Sequence, residues 1–262
     1  MAQNTYRIRN ERERARRAYS QTFLTDRGAL GQVVRAARPA ATDLVLEIGA
    51  GAGHLTRELA RVAGRIVAYE VDPDLVRALN PPSNVVVQQR DFLAARPPRE
   101  DFAVVGNIPY ALTARVVEWC LRAPSLTSAT LVTQLEYARK RTGDYGRWSR
   151  LTIETWPTHR WVLAGKIARH KFRPVPRVDS GILRLERRPV PLVEPRLLEP
   201  YRRFVELGFS GVGGTLHASL RQRHPARRVD AAFRACRLDP ALVVAYAWPE
   251  QWLTLFRALH SS

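Results

Sequence analysis

Residues 46–56 read "LEIGAGAGHLT". A short apolar run ending at Ile48 meets three glycines in alternate places, Gly49, Gly51 and Gly53, and a helix-forming sequence follows. Glycine at such a junction permits a tight turn and lets a ligand come close to the main chain. Taken alone, the loop also fits a plain strand–helix turn. Its spacing is G-x-G-x-G with His54 next, where the dinucleotide fingerprint needs another glycine, so a pyrophosphate cofactor is disfavoured. Glu70 ends the next strand-like segment, about twenty residues on, where a carboxylate can accept both ribose hydroxyls of a nucleoside. Asp91, in "QQRDFL", ends the one after and is placed to accept from an adenine amino group. Either acid alone is an ordinary surface residue. Glycine loop, acid and acid at three successive strand ends describe a nucleoside pocket at the carboxyl edge of a sheet. S-adenosylmethionine, which carries adenosine and no phosphate, matches that pocket.

The fourth strand end is "VVGNIPYALTA", residues 104–114. An amino group on a base is a poor nucleophile, because its lone pair is delocalised into the ring. An amide oxygen and a neighbouring carbonyl that accept its two N–H bonds favour a pyramidal nitrogen. Asn107 supplies the amide, Ile108 the carbonyl, Pro109 stiffness and Tyr110 a face for the base. The alternative is a turn with a packed tyrosine. A sulfonium methyl is already activated, so the catalyst mainly positions, and no metal is expected.

Around these ends the chain alternates strand-like and helix-like text. Helices are expected in "DRGALGQVVRAAR", "HLTRELARVAG", "PDLVRALN" and "ALTARVVEWCLRA", and strands in "DLVLEIG", "RIVAYEVD", "NVVVQQRD", "DFAVVGN" and "SATLVTQL". Such alternation means an α/β fold with a doubly wound parallel sheet. "LTIETW", "RWVLAGKIA" and "SGILRLERR" read as later strands. The proline-rich joint "RRPVPLVEP" (187–195) leads to four short helical stretches, "LLEPYRRFVELGF", "TLHASLRQR", "RRVDAAFRAC" and "PALVVAYA". Three parts are therefore expected: a basic arm over 1–19, a catalytic domain over 20–188 and a small helical domain over 189–262.

The 262 residues carry 42 Lys+Arg against 24 Asp+Glu, a net charge of +18, and only three of the basic residues are lysines, Lys140, Lys166 and Lys171. A polyanion is the natural partner, and arginine forks onto phosphates and stacks on bases. A GC-rich genome would give the same arginine bias. The densest basic stretches are "RIRNERERARR" in the arm, "RKRTGDYGRWSR" (139–150) and "RQRHPARR" (221–228). Cys120 and Cys236 lie far apart and read as reduced thiols of a cytoplasmic protein. No apolar run approaches the ~18–20 residues of a membrane helix, and the first residues lack the apolar core of a secretory signal.

With these residues in hand the sequence resembles the ribosomal RNA adenine N6-methyltransferases, which divide into antibiotic-resistance (Erm-type) and housekeeping (KsgA-type) branches. The likeness runs from "SQTFLTD" (20–26) through "LEIGAGAGHLT", "YEVD", "RDFL" and "GNIPY" to "HKFRPVPRVDSGILRLERR" (170–188). It implies a class I S-adenosylmethionine-dependent methyltransferase fold, Rossmann-like with seven strands, and S-adenosylhomocysteine as product. It implies that Gln21, Thr22 and Leu24 close over the methionine end of the cofactor. Gly49 and Gly51 would lie against it, Glu70 with Val71 would hold the ribose, and Asp91 with Phe92 the adenine. Asn107 would touch both cofactor and target, Tyr110 the target adenine, and Phe172 the other face of that base. The family's opening motif usually reads Gln-Asn-Phe; here Thr22 stands at the asparagine place. His54 after the glycines and Ile108 in "NIPY" lean to the Erm type. That branch modifies one adenine of 23S rRNA and blocks macrolides, lincosamides and streptogramin B. The housekeeping branch modifies adenines of 16S rRNA, and a non-catalytic nucleic-acid-binding relative or a DNA amino-methyltransferase are the other rivals. The partner implied is ribosomal RNA, with no membrane, and a monomer is expected.

Overall fold

The computed structural model describes residues 22–260. The expected basic arm and Gln21 lie outside them. Strand β1 (Phe23–Leu24) precedes helix α1 (Arg27–Ala37), whose start is fixed by the Asp26 carboxylate accepting from Ala29 N at 2.9 Å. That bond satisfies one of the helix's orphan amides. The helix ends at Arg38, in left-handed backbone just before Pro39. Strand β2 (Leu44–Ile48), helix α2 (His54–Ala60), strand β3 (Arg65–Glu70), helix α3 (Pro73–Ala78) and strand β4 (Val85–Gln89) follow. Then come β5 (Phe102–Asn107), helix α4 (Thr113–Arg122) and β6 (Leu126–Gln134).

The main sheet has seven strands in the order β4-β3-β2-β5-β6-β9-β7, with β7 over His159–Ile167 and β9 over Ser180–Arg187. The first five run parallel, so the carboxyl ends of β2, β3, β4 and β5 share one edge. The order turns outward in both directions from β2 and β5, the switch point where α/β sheets open a crevice. Gly106 lets these two strands meet there: a Cβ on it would stand 2.9 Å from both Ile48 Cβ and Ile48 O. Val45, Leu46, Leu59, Ala68 and Val104 are buried at or near zero exposure, each large one contributing about 1.5–3 kcal/mol.

By internal packing the chain divides into two units. One comprises the described residues up to Leu135 with Leu163–Arg184; the other comprises Glu136–Val162 with residues 185–260. The second unit holds α5 (Leu135–Thr142, less its first residue) and α6 (Arg150–Thr155), then α7 (Leu198–Gly208), α8 (Leu216–Leu220), α9 (Ala226–Ala235) and α10 (Pro249–His260). Its core gathers Tyr201, Phe204, Phe233, Trp252 and Phe256.

Two readings of the sequence are corrected here, and one helix is added. "LTIETW" is helix rather than strand: Ser149 caps it by accepting from Thr152 N at 3.3 Å, and Thr155 Oγ1 bonds back to Leu151 O at 2.7 Å, so its β-branched residues serve a helix. "PALVVAYA" forms only a 3₁₀ turn over Val244–Tyr246, because Pro249 starts the true helix a few residues later. That last helix, with Trp252, Leu253, Phe256 and Leu259 buried along one face, had not been expected.

Within β2, Glu47 is fully buried, registered between Ala68 of β3 and Val105 of β5. Neither of its carboxyl oxygens, nor Thr56 Oγ1, has a hydrogen-bond partner of regular geometry among the described residues. Burial pushes the carboxyl up from its ordinary 4.5 to about 7; the nearby Thr56 hydroxyl pulls it down, Glu70 pushes it up and Arg57 pulls it down. The folded protein therefore holds a proton here that the unfolded chain has released. Stability from this group is complete below pH 4.5 and is lost as pH rises towards 7, by about 3 kcal/mol in all. Glu47→Gln is expected to abolish that decline, so that its urea midpoint gains on the wild type between pH 5 and pH 8. Parallel pH profiles for the two proteins would assign the decline to another group.

Candidate active site

The glycine loop turns back on itself with Gly49, Gly51 and Gly53 at φ of 72°, 56° and 75°, backbone that other residues rarely adopt. At Gly51 a Cβ would also stand 3.0 Å from the Phe23 ring. The loop is fastened to the neighbouring strand end. Gly51 N donates to Glu70 Oε2 at 2.8 Å, while Val71 N and Asp72 N donate to Glu70 Oε1 at 2.8 and 2.9 Å. Buried to 3% exposure, Glu70 is thus locked in place by three main-chain donors. A carboxylate offers about four lone-pair sites, so roughly one remains for a ligand hydroxyl rather than the full pair expected.

One cavity runs along this edge. Of the residues singled out from the sequence, Thr22, Gly49, Gly51, Glu70, Val71, Asp91, Phe92, Asn107 and Pro109 line it. Ile48, Leu112 and Val116 add apolar wall. Asp91 caps the 3₁₀ turn Phe92–Ala94 through Leu93 N at 2.9 Å, which fixes the carboxylate at the rim. The Phe92 ring is held edge-on to Tyr69, 5.4 Å between centroids, and against Trp119 at 4.4 Å. It forms a rigid flat side to the cavity.

Asn107 donates through Nδ2 to the main-chain carbonyl of Thr22 at 2.7 Å. A carbonyl only accepts, so the amide must present its nitrogen there, and Oδ1 is left with no hydrogen bond among the described residues. This bond uses the main chain of Thr22, so it does not depend on which side chain stands at that position. Tyr110 opens the 3₁₀ turn after Pro109, and its hydroxyl meets Ser180 Oγ at 2.8 Å. Ser180 is fully buried on β9 and was not anticipated; no local pattern marks it. Burial pushes the Tyr110 phenol up, Ser180 pulls it down and Asp179 pushes it up. The ring is therefore neutral at ordinary pH and no base.

Two residues sit elsewhere than expected. Leu24 and Phe172 are buried in the core and do not line the cavity. The cause is a two-stranded ladder between β1 and β8 (Phe172–Arg173), which pairs Leu24 with Phe172 and Phe23 with Arg173. Alternation along the strand turns Phe23 to the cavity and Leu24 inward. The ladder is reinforced by Lys171 Nζ to Asp26 at 2.8 Å. Ile108 has its side chain buried, which leaves the role expected of its main-chain carbonyl untouched.

A doubly wound sheet with a glycine loop, an acid at each of the next two strand ends and an Asn-Ile-Pro-Tyr corner defines a class I S-adenosylmethionine-dependent methyltransferase. The family model described as ribosomal RNA adenine dimethylase matches residues 12–261. The rRNA adenine N-6-methyltransferase of Streptomyces fradiae is 60% identical over 252 residues, covering 94% of this chain and 79% of that protein. The mycinamicin-resistance protein MyrB of Micromonospora griseorubida is 35% identical over 249 residues, covering 92% of this chain and 78% of that protein. The crystal structure of the 23S rRNA methyltransferase ErmE matches with a TM-score of 0.88 and 50% identity, over 91% of this chain and 100% of that one. The chain belongs to the ribosomal RNA adenine dimethylase family, on its Erm-type branch.

Proposed function

We propose that the protein transfers a methyl group from S-adenosylmethionine to the N6 amine of one adenine in 23S rRNA, and that this confers resistance to macrolides, lincosamides and streptogramin B. The observation that carries the reading is Asn107: its nitrogen is committed to Thr22 O while its oxygen has no hydrogen bond among the described residues, on a cavity shared with Glu70 and Asp91. An adenosine bound there would meet fixed acceptors at two strand ends and a flat aromatic side. Glu70 with Val71 would hold the ribose, Asp91 with Phe92 the adenine, and Gly49 and Gly51 the chain beyond. Bound there, S-adenosylmethionine supplies an activated methyl carbon.

The protein's own part is placement. Asn107 Oδ1 accepts one N–H of the target amine and the carbonyl of Ile108 the other, which turns the nitrogen lone pair out of the ring. Pro109 holds the corner rigid. Tyr110, anchored by its hydroxyl on Ser180, offers its face to the extruded base, a stack worth roughly 1–3 kcal/mol against an extrusion cost of a few. Phe172 would join it only if the β1–β8 ladder opened, because the ring is enclosed there. The net charge of +18 supplies affinity for the RNA backbone, which should fall steeply with salt. The domain reading, catalytic over 20–188 and RNA-binding over 189–262, belongs to this proposal, as do a monomer and a cytoplasmic site of action. The placement of MyrB among the relatives, named for resistance, favours 23S over the housekeeping target.

Expression in a susceptible bacterium, followed by primer extension on both large rRNAs, tests the target. A new stop in 23S rRNA with macrolide resistance is expected. A change in 16S rRNA alone would move the protein to the housekeeping activity, and no change in either would leave the nucleic-acid binder.

A further inference from the structure

The basic run 139–150 folds in the second unit into a groove of about 620 Å³, bordered by Tyr145, Trp148, Tyr246, Lys140 and Arg147. Two rings stand out. Tyr145 is 62% exposed although it is held in left-handed backbone at φ 69°, a conformation a tyrosine adopts only when its surroundings impose it. Tyr246 is 39% exposed. Each has a guanidinium over one face: Arg139 lies 4.9 Å from the Tyr145 centroid and Arg147 lies 5.3 Å from that of Tyr246. Each ring thus has a cation against it and is still exposed to solvent.

The two loops are tied together. Trp148 N donates to Ala245 O at 2.7 Å, Arg147 Nε donates to the Tyr246 hydroxyl at 2.9 Å, and Arg139 bonds the Tyr145 hydroxyl. Of the charges at the groove, Asp144 is paired with Arg139 and Glu136 is the other acid, while Lys140 and Arg147 have no carboxylate partner among the described residues. Rigid aromatic faces alternating with unpaired cations are how proteins hold unpaired nucleic acid. A duplex keeps its base faces stacked and hidden, so it would leave these rings unused.

We propose that this groove binds an unpaired segment of the substrate RNA, one or two bases stacking on Tyr145 and Tyr246 and the adjoining phosphates on Lys140 and Arg147. The inference rests on the rRNA methyltransferase reading and adds to it a second grip on the substrate, outside the methyl-transfer cavity.

The test is steady-state methylation of in vitro transcribed 23S rRNA. In Y145A/Y246A the KM for RNA should rise tenfold or more, with kcat and S-adenosylhomocysteine affinity held. Y145F/Y246F keeps both faces and should stay within about twofold of the wild type. K140Q/R147Q, at two exposed side chains, should weaken RNA binding and flatten its salt dependence, whereas the tyrosine variants should leave that slope alone. An unchanged KM in Y145A/Y246A, or equal losses in the alanine and phenylalanine pairs, would overturn the groove. A wild-type protein that methylates no 23S rRNA would instead overturn the parent reading.

Discussion

Asn107→Ala is expected to lower kcat for methyl transfer to ribosomal RNA by about 10²–10³, the scale of removing one preorganised polar group from a transition state. The residue does two jobs at once. Its nitrogen anchors the Thr22 carbonyl and its oxygen is an acceptor with no hydrogen bond among the described residues. Alanine deletes both, and the nitrogen lone pair of the target base then has nothing to draw it out of the ring. Tyr110→Ala should cost about 10–10² through loss of stacking, while S-adenosylhomocysteine binding survives, because Tyr110 does not line the nucleoside cavity. The hydroxyl pair refines the test. If Ser180 works by holding the Tyr110 ring, then Tyr110→Phe and Ser180→Ala each cost about tenfold, and the double variant costs no more than either. Additive losses would detach Ser180 from the ring. Full activity in both Asn107→Ala and Tyr110→Ala would show that the chemistry happens elsewhere.

Glu70→Ala should weaken S-adenosylhomocysteine binding by about a hundredfold or more in calorimetry. Three amides, on Gly51, Val71 and Asp72, converge on this carboxylate. Hydrogen bonds to a charged group are worth about 1.5–3 kcal/mol each, and removing the acceptor also frees the glycine loop that the ligand must meet in one conformation. Folding stability should fall too. Glu70→Gln separates the effects: it keeps the size and one acceptor oxygen but turns an N–H donor towards amides that are themselves donors. Its affinity should lie between those of the wild type and alanine. An unchanged affinity in Glu70→Ala would remove the ribose role.

Much of the cavity was legible because side chains at strand ends are ordered by the strand period. Glu70, Asp91 and Asn107 each close a run of apolar residues, so their common edge follows once the strands are taken as parallel. The glycines announce themselves by needing backbone that other residues rarely adopt. What stayed hidden involves partners that local sequence cannot name. The Thr22 carbonyl looks like any other carbonyl in the text, so its bond from Asn107 could not be foreseen. Ser180 lies seventy positions from Tyr110, and nothing in "VDSGIL" tells which ring its hydroxyl meets. Leu24 and Phe172 were assigned to ligand faces, yet a two-residue ladder turned both inward. "LTIETW" was read as strand from its β-branched residues, although Ser149 ahead of it was the cap that favours a helix.

The central claim is that the ends of β2, β3, β4 and β5 form one slot for a methyl donor and an extruded adenine. A crystal structure of the protein soaked with S-adenosylhomocysteine addresses it most directly. The account predicts the ribose against Glu70, the adenine between Asp91 and Phe92, and the sulfur end towards Asn107. Density for the nucleoside at any other place, with this edge closed by packed side chains, would contradict it.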